Sequence, residues 1–219
     1  MVASAVGQQF GGARRRLIEA LRAKGIRDLN VLHAFDVVPR HRFVPTGVQH
    51  RAYDDAALPI GNGQTISQPW VHARYLELLA LTGSERVLEI GTGSGFQTAL
   101  LAQLAGQVFS IERVAPLLDN ARQILGALAY PNISLMHGDG TLGWRAYAPF
   151  DAILVGAASP DVPAPLVAQL AIGGRLLIPV GGREGQSLLE VTRTATGTTE
   201  RTIADVRFVP LVGEHGWDA

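Results

Sequence analysis

Short apolar runs recur along the middle of the chain, and most are followed by a stretch with helical periodicity. Strands are predicted at residues 87–90, 108–111, 133–136, 151–155 and 175–180, and helices between them at residues 96–104, 115–128 and 165–170. Gly173 and Gly174 mark the predicted end of the last of these helices. Near-continuous apolar strands that alternate with helices indicate a Rossmann-like α/β fold with a mostly parallel central sheet.

The C-terminal part of the chain has a different pattern, in which strand-like segments follow one another without a helix between them. These segments are residues 187–193, 199–206 and 208–211. Strands that are joined without a crossover helix pair antiparallel. We therefore expect an antiparallel C-terminal edge on the parallel sheet.

Two amphipathic helices open the chain and predict an N-terminal helical cap. Leu17, Ile18 and Leu21 have helical spacing, and a second apolar stripe follows Asp28, a typical N-cap residue, and ends at Pro39. A stretch at 41–69, rich in Pro, Gly and Asp, predicts a shaped loop or small hairpin, with a further helix at 71–81. We expect a single domain over residues 1–219. The cap and a substrate loop would occupy residues 1–81, and the Rossmann-like core would occupy residues 82–219.

The first strand of this core runs directly into a glycine loop. Glu89 and Ile90 are followed by Gly-Thr-Gly-Ser-Gly at residues 91–95, so the backbone can turn tightly and approach a ligand without a Cβ between them. A dinucleotide fingerprint, Gly-x-Gly-x-x-Gly, would need a glycine where this chain has Phe96. An acid followed by Gly-x-Gly-x-Gly instead suits a cofactor with no phosphate and a cationic amino-acid end. S-adenosyl-L-methionine (SAM) fits that description.

Two more acidic turns at strand ends support a SAM site. Glu112 follows the strand after the loop, at roughly the twenty-residue distance where a carboxylate can accept both ribose hydroxyls. Asp139 and Gly140 follow the next strand, where they would lie near the adenine. The three turns together predict that SAM binds at the carboxyl ends of the strands, with S-adenosyl-L-homocysteine as the product.

The charges of the chain are balanced and exclude a strong general attraction to polyanions. Lys and Arg together number 19, as do Asp and Glu, so the net charge is zero and no nucleic-acid or membrane partner is expected. The run at residues 14–16, three arginines, is interpreted as a solvated helix face. No apolar run approaches the ~20 residues that span a bilayer, and residues 1–10 lack the pattern of a signal peptide. We expect a soluble, cytoplasmic monomer.

Several kinds of catalytic site are disfavoured by the residue types present. The chain has no cysteine, and its histidines lack metal-ligand spacing, so no metal is expected. Residues 93–95 match only the centre of the serine-hydrolase motif Gly-x-Ser-x-Gly, and the pair Asp54-Asp55 is more typical of turn caps than of acid/base catalysis. Methyl transfer to a carboxylate needs no general base, because that acceptor is already ionised at neutral pH. The hydroxyls of Thr65 and Ser67 suit such a site.

The segment GNGQTISQP at residues 61–69, together with residues 87–95, closely resembles the protein-L-isoaspartate O-methyltransferase family. The likeness also covers residues 38–45, 53–61, 138–140, 149–151, 173–181 and 206–211. It implies a SAM-dependent methyltransferase fold. It also implies an enzyme that methylates the α-carboxyl of L-isoaspartyl residues in damaged proteins and peptides, and so initiates repair through a succinimide.

The resemblance assigns roles to individual residues. Ser67 would be the catalytic or acceptor-positioning hydroxyl. With the acids already identified, the implied cofactor contacts are Gln64, Thr65, Ile66, Ser67, His72, Glu89, Gly91, Gly93, Glu112, Asp139 and Gly140. The peptide would lie in extended form, held largely by backbone hydrogen bonds, against Ile60, Thr65, Ser67, Val209, Leu211 and Val212.

Some positions mix the patterns of the family's branches. His72 looks eukaryotic, whereas Gln64 and Gln68 look bacterial, so His72 either touches the cofactor or is a satisfied helix histidine. Val212 stands where some members have a threonine, which leaves only its backbone role implied. Three alternatives to isoaspartyl repair stay open. They are a methyltransferase of the same fold dedicated to one modified peptide or small carboxylate, a non-catalytic SAM-binding scaffold, and a Rossmann dehydrogenase.

Overall fold

A seven-stranded sheet lies at the centre of residues 3–182 and 185–218, which the computed structural model describes, with side chains described from Phe10 onward. Met1 and Val2, which begin the segment searched for a signal peptide, lie outside this range, as does Ala219. In chain order the strands are β1 Leu58–Gly61, β2 Gln64–Ile66, β3 Arg86–Ile90, β4 Gln107–Glu112, β5 Ile133–His137, β6 Phe150–Val155, β7 Leu170–Gly181, β8 Gln186–Arg193 and β9 Thr198–Val206.

The strand order in the large sheet is β5-β4-β3-β6-β7-β8-β9. β3 to β7 pair in parallel, and β8 and β9 add an antiparallel edge. The order reverses at β3, which has β4 on one side and β6 on the other. Ligands of such sheets bind where the order reverses, beyond the carboxyl ends of the strands. The fold class predicted from the sequence is confirmed.

The helices cover both faces of the sheet and form the cap. They are α1 Ala3–Ala23, α2 Leu29–Val37, α3 Pro69–Leu79, α4 Phe96–Leu104, α5 Ala115–Ala127 and α6 Ala164–Ala168. The side chain of Asp28 accepts hydrogen bonds from the amides of Asn30 and Val31, so the predicted N-cap of α2 is confirmed. Among the described residues no helix is long and apolar enough to cross a membrane.

Alternating residues of the central strand point to opposite faces of the sheet, where separate apolar clusters lie. Val87 packs in the cluster that includes the buried residues of α1 to α4, whereas Leu88 and Ile90 pack in the cluster on the other face. Glu89 therefore lies on the same face as Val87, toward the helical cap. The alternation of side chains along β3 therefore directs the carboxyl group of Glu89 toward the cap.

The region between α2 and α3 contains short helices and a hairpin. Two turns of 3-10 helix, Arg40–Phe43 and Thr46–Arg51, precede the antiparallel pair β1 and β2, so the predicted small hairpin is confirmed. Asn62 and Gly63 connect its strands with positive φ angles of 51° and 69°. The hairpin brings the segment that begins at Gln64 to the carboxyl edge of the large sheet.

Two predictions about the later strands are wrong. Gly173 and Gly174 do not end a helix but lie inside β7, because α6 ends at Ala168 and β7 begins two residues later. A Cβ on Gly174 would lie 3.0 Å from the carbonyl oxygen of Phe150, so the glycine permits a close approach of β6 where the register shifts.

Residues 208–211 do not form the predicted strand. Two hydrogen bonds hold this segment to Ala158, whose amide donates to the carbonyl of Val209 at 2.8 Å and whose carbonyl accepts from the amide of Leu211 at 2.7 Å. Pro210 between them has no N–H and cannot extend a ladder. The segment instead crosses the carboxyl edge of the sheet as an extended strap.

Candidate functional site

The glycine loop between β3 and α4 is held in a backbone form that glycine favours. The φ angles of Gly91 and Gly93 are +92° and +54°. Gly95 caps α4, and a Cβ there would lie 3.2 Å from the side chain of Leu125 on α5. The first two glycines therefore shape the ligand side of the loop, whereas the third lets α4 pack closely on α5.

Glu89 is fully buried beneath this loop. One carboxyl oxygen accepts hydrogen bonds from the hydroxyls of Thr98, at 2.5 Å, and Ser110, at 2.6 Å, and the other oxygen has no partner among the described residues. Burial raises the pKa of Glu89 to about 8, against the effect of these two hydroxyls and with a smaller contribution from Glu112. Glu89 is thus mostly protonated at neutral pH, and a nearby cationic ligand would favour its ionised form.

Glu112, at the end of β4, ties the loop to the neighbouring strand. One of its carboxyl oxygens accepts from the amide of Gly93 at 2.8 Å, and the other accepts from the amide of Val114 at 2.8 Å. Each carboxyl oxygen has a second lone pair, so the group can still accept from a ligand hydroxyl. Glu112, which the sequence analysis predicted to contact the ribose, therefore also fixes the glycine loop.

The hairpin presents Gln64, Thr65 and Ile66 on β2, and Ser67 follows directly. Ile66 is buried, whereas Thr65 is exposed. The carbonyl of Ser67 accepts a hydrogen bond of 2.9 Å from the guanidinium of Arg40. Ser67 is therefore anchored through its backbone, while its hydroxyl has no assigned partner among the described residues.

His72 lies in the first turns of α3 and contacts the same region. Its Nδ1 is hydrogen-bonded to the side-chain oxygen of Gln97, while its Nε2 is buried without a partner. Burial and the positive charge of Arg40 lower the pKa of His72 to about 3, so the ring is neutral. A neutral ring that donates from Nδ1 leaves Nε2 as an acceptor. The hydroxyl of Tyr75 and the amide nitrogen of Gln97 are buried without partners as well.

Asp139 and Gly140 follow β5. One oxygen of Asp139 accepts from the amide of Thr141 at 2.8 Å, and the other accepts from the amide of Glu214 at 2.7 Å. Asp139 thus caps a turn of 3-10 helix and holds the C-terminal segment over the site. A Cβ on Gly140 would clash with the side chain of Ile90, so only glycine brings this turn against β3.

These residues enclose connected spaces that meet at Thr65. The inner cavity, of about 60 Å³, is lined by Ser67, His72, Tyr75, Glu89, Gln97 and the glycine loop. The outer cavity, of about 130 Å³, is lined by Gln64, Glu112, Gly140, Val209, Leu211 and Val212, with Gly91 and Gly93. The cleft, of about 540 Å³, is lined by Ser67, Gln68, Trp70, Arg207, Phe208 and Val209. Thr65 borders all of them.

Comparison with known proteins agrees with this geometry. The sequence model of the family described as Protein-L-isoaspartate(D-aspartate) O-methyltransferase (PCMT) matches residues 13–216. The chain belongs to the protein-L-isoaspartate O-methyltransferase family. Proteins of that name from Syntrophus aciditrophicus (strain SB) and Dictyoglomus thermophilum are 52% and 50% identical to it, over 95% of the chain and 98% and 95% of their own lengths.

Solved structures of the same family share the fold. A protein-L-isoaspartate O-methyltransferase with 27% identity superposes with a TM-score of 0.86, over 93% of this chain and 67% of its own. A putative member from Plasmodium falciparum, in complex with S-adenosyl-L-homocysteine, has 29% identity and a TM-score of 0.79, over 91% and 98% of the two chains. The predicted family and its SAM-dependent fold are confirmed.

Most of the residues that the sequence analysis selected come together in the structure. The cavities and the cleft are lined by Gln64, Thr65, Ile66, Ser67, His72, Glu89, Gly91, Gly93, Glu112, Gly140, Val209, Leu211 and Val212. Ile60 lies beside the loop, since its Cδ1 is 3.6 Å from where a Cβ of Gly93 would be. Asp139 precedes Gly140 and is not among the residues that line the cavities or the cleft; its carboxylate accepts a hydrogen bond from the backbone of the C-terminal segment.

Several residues of the site were not selected from the sequence. Tyr75 and Gln97 line the inner cavity, and Thr98 and Ser110 bind Glu89. Ser110 is the register partner of Glu89 across β3 and β4, so it could be found only once the pairing of the strands was known. Within residues 3–182 and 185–218 no group of three or more His, Cys, Asp or Glu side chains could hold a metal ion.

Proposed function

We propose that the protein transfers the methyl group of SAM to the α-carboxyl of L-isoaspartyl residues in damaged proteins and peptides, with Ser67 aligning the acceptor. Membership of the family supports the reaction and the cofactor. The observation that carries the assignment of Ser67 is its position, because Ser67 borders both the inner cavity under the glycine loop and the open cleft. A group at that boundary can touch a donor on one side and a peptide on the other.

The free polar atoms of the inner cavity support a cofactor with an amino-acid end. His72 offers a buried acceptor atom and Glu89 offers another once it is ionised, whereas Tyr75 and Gln97 offer buried donors. Buried polar atoms without partners are costly, so a ligand that pairs with them binds favourably. An α-ammonium group and a carboxylate supply the complementary charges. When bound, SAM supplies an electrophilic methyl group on its sulfonium.

The outer cavity supports the rest of the assignment. Glu112 keeps acceptor capacity for ribose hydroxyls, and Gly140 lines the same cavity where it packs against Ile90. Val209, Leu211 and Val212 form one wall of this cavity, and Val209 also borders the cleft. The strap at residues 208–211 is thus proposed to cover the cofactor on one face and to meet the peptide on the other.

The chain's own residues need to orient an acceptor that is already ionised. The α-carboxyl group titrates near pH 3.5, so at neutral pH no residue has to remove its proton. Ser67 and Thr65 would hold this carboxylate at the mouth of the inner cavity and replace its water. Alignment alone can lower such a barrier by roughly 7 to 11 kcal/mol. This explains a site with hydroxyls and no exposed general base.

The direct test is methyl transfer from labelled SAM to matched peptides that differ only in Asp or isoAsp. We expect label on the isoAsp peptides of several unrelated sequences and none on the Asp peptides. No label on any isoAsp peptide would overturn the assignment. Label on a single sequence would instead support the alternative of a methyltransferase dedicated to one substrate.

The role of Ser67 is tested by Ser67→Ala, with Ser84→Ala at an exposed position as the control. A hydrogen bond to a charged group contributes about 1.5 to 3 kcal/mol, so kcat is expected to fall roughly 10- to 100-fold. The Kd for SAM, measured by calorimetry, should change by less than about threefold, since the backbone of Ser67 is retained. An unchanged kcat would show that the hydroxyl neither binds nor positions the acceptor.

We also propose that residues 1–219 act as one domain and as a monomer in the cytoplasm. The apolar cluster that joins α1, α2 and α3 to α4 and β3 supports a single domain. Limited proteolysis, light scattering and cell fractionation test these three statements, and a stable fragment, a dimer or a membrane-bound pool would contradict them.

A further inference from the structure

A buried guanidinium lies behind the acceptor segment. Arg40 is only 1% exposed and begins the first turn of 3-10 helix after α2. Its Nε donates to the carbonyl of Ala52 at 2.8 Å, and one terminal nitrogen donates to the carbonyl of Ser67 at 2.9 Å. The other terminal nitrogen is buried and has no partner within the part of the chain that the structure describes. Arg40 thus connects the capping region to the segment that carries the proposed acceptor hydroxyl.

The burial of this group is costly and is not explained by an ion pair. Removing a cation from water costs several kcal/mol, and Arg40 has no carboxylate within hydrogen-bonding distance among the described residues. Burial lowers the pKa of Arg40 to about 9, with Asp55 acting in the opposite direction, so the charge is kept at neutral pH. The guanidinium carbon also lies 4.7 Å from the ring centre of Phe96, the first residue of α4.

A second contact from the capping region holds the other end of the same segment. One oxygen of Asp55 accepts from the amide of Trp70 at 2.8 Å. Its other oxygen accepts from the side chain of Gln68 at 3.1 Å and from the ammonium of Lys24 at 2.5 Å. The side chain of Asp55 is 13% exposed and that of Lys24 is 51% exposed, so the bonds to Trp70 and Gln68 are partly shielded from water, whereas the bond to Lys24 is exposed.

The segment from Ser67 to Trp70 is therefore fixed at both ends. Arg40 holds its first carbonyl and Asp55 holds its last amide, three residues later. Because the contacts are made to the backbone, they fix where the Ser67 side chain begins without using its hydroxyl. The contact of Arg40 with Phe96 places the segment relative to α4 and so relative to the glycine loop.

We propose that Arg40 and Asp55 are positioning residues that hold the Ser67 hydroxyl in line with the methyl donor. The proposal rests on the proposed function of Ser67. A displacement of about 1 Å at a reacting group can cost on the order of 100-fold in rate, so a loosened segment should lower kcat strongly. SAM should still bind, because neither Arg40 nor Asp55 lines the inner or the outer cavity.

The test compares Arg40→Lys and Asp55→Ala with matched controls. Lysine keeps the positive charge but lacks the fork that reaches two carbonyls at once. Arg42→Lys and Asp54→Ala are the controls, since Arg42 and Asp54 are exposed neighbours. For every variant, kcat and KM for an isoAsp peptide, the Kd for SAM and the urea midpoint are measured. We expect kcat to fall about 10- to 100-fold in Arg40→Lys and at least about fivefold in Asp55→Ala, with KM and Kd within about threefold.

A double-mutant cycle separates positioning from general loosening of the fold. In the Ser67→Ala background there is no hydroxyl to position, so Arg40→Lys should lower kcat by less than about twofold further. If the fold-losses of kcat in Arg40→Lys and Ser67→Ala multiply in the double variant instead, Arg40 does not act through Ser67. The proposal is then overturned, while the proposed function of Ser67 stands. If Ser67→Ala alone leaves kcat unchanged, it is the proposed role of Ser67 that fails.

Two outcomes would show that a variant lowers kcat by destabilising the fold rather than by displacing Ser67. A fall in kcat that accompanies an equal loss of SAM affinity, or a chain partly unfolded at the assay temperature, would identify Arg40 as a structural residue and overturn the proposal. Should Arg40→Lys fail to fold, Asp55→Asn decides. It keeps an acceptor for the amide of Trp70 but places an NH2 group, which cannot accept, opposite the donors of Gln68 and Lys24, and an unchanged kcat and KM in that variant would contradict the proposal.

Discussion

Without SAM, the variant Glu89→Gln is expected to be more stable than the parent protein at alkaline pH. The folded chain holds Glu89 with a pKa of about 8, whereas its ordinary value is 4.5. Folding therefore favours the protonated side chain, and the stability that depends on this proton is fully present below pH 4.5. It is lost as the pH rises toward 8, because the unfolded chain releases the proton and the folded chain retains it.

The size of the effect follows from the shift. Each pH unit between the two pKa values corresponds to about 1.4 kcal/mol, so the parent protein should lose roughly 3 kcal/mol of stability at this site between pH 5 and pH 8. Glutamine is neutral at every pH, and its side-chain oxygen can still accept from Thr98 and Ser110. The variant should escape this loss while keeping the same packing.

The assay is urea unfolding without SAM at pH 5 and pH 8, for Glu89→Gln, the parent and the control Glu19→Gln at an exposed position. The free energy of unfolding of Glu89→Gln minus that of the parent should rise by about 3 kcal/mol from the lower to the higher pH. Other titrating groups cancel in this difference. A difference that changes by less than about 1 kcal/mol would refute the reasoning that Glu89 is protonated when SAM is not bound.

Three further changes test other parts of the structure. Asp28→Ala removes the N-cap of α2 and should lower the free energy of unfolding by about 1 kcal/mol without changing the Kd for SAM; an altered Kd would contradict a purely local role. Gly140→Ala should weaken SAM binding at least about tenfold, because the added Cβ meets Ile90 at the wall of the outer cavity. An unaltered Kd for SAM, measured by calorimetry, would contradict this. His72→Gln should reduce the loss of stability between pH 6.5 and pH 4, because the unfolded parent takes up a proton on His72 in this range, whereas the folded parent, with a pKa of about 3, keeps the ring neutral; identical acid unfolding curves would count against this.

The central sheet and most of its helices could be predicted from the local sequence. The bounds of α4 agree with the prediction, and β3, β4 and β5 each differ from it by one residue at an end or at both. Continuous apolar runs and helical periodicity are strong local signals, because a buried parallel strand has to be apolar on both sides. The glycine loop and its neighbouring acids were equally visible, since their chemistry lies in consecutive residues.

The sequence failed where the outcome depended on distant segments. Gly173 and Gly174 have the composition of a helix end, yet they continue β7, because a close backbone approach to β6 needs residues without a Cβ. Residues 208–211 have the composition of a strand, yet Pro210 and the contacts with Ala158 make them a strap. Local composition cannot distinguish these cases.

The sequence by itself determined the α/β class, the glycine loop and, through resemblance, the family and most residues of the site. Only the tertiary structure decided the state of those residues. Glu89 is a plain acid in the sequence, but burial beneath the loop raises its pKa to about 8, although Thr98 and Ser110 donate hydrogen bonds to it. Arg40 gained a role only when folding brought it to the carbonyl of Ser67, 27 residues away. Burial and long-range hydrogen bonding are properties of the packed chain, and no local pattern encodes them.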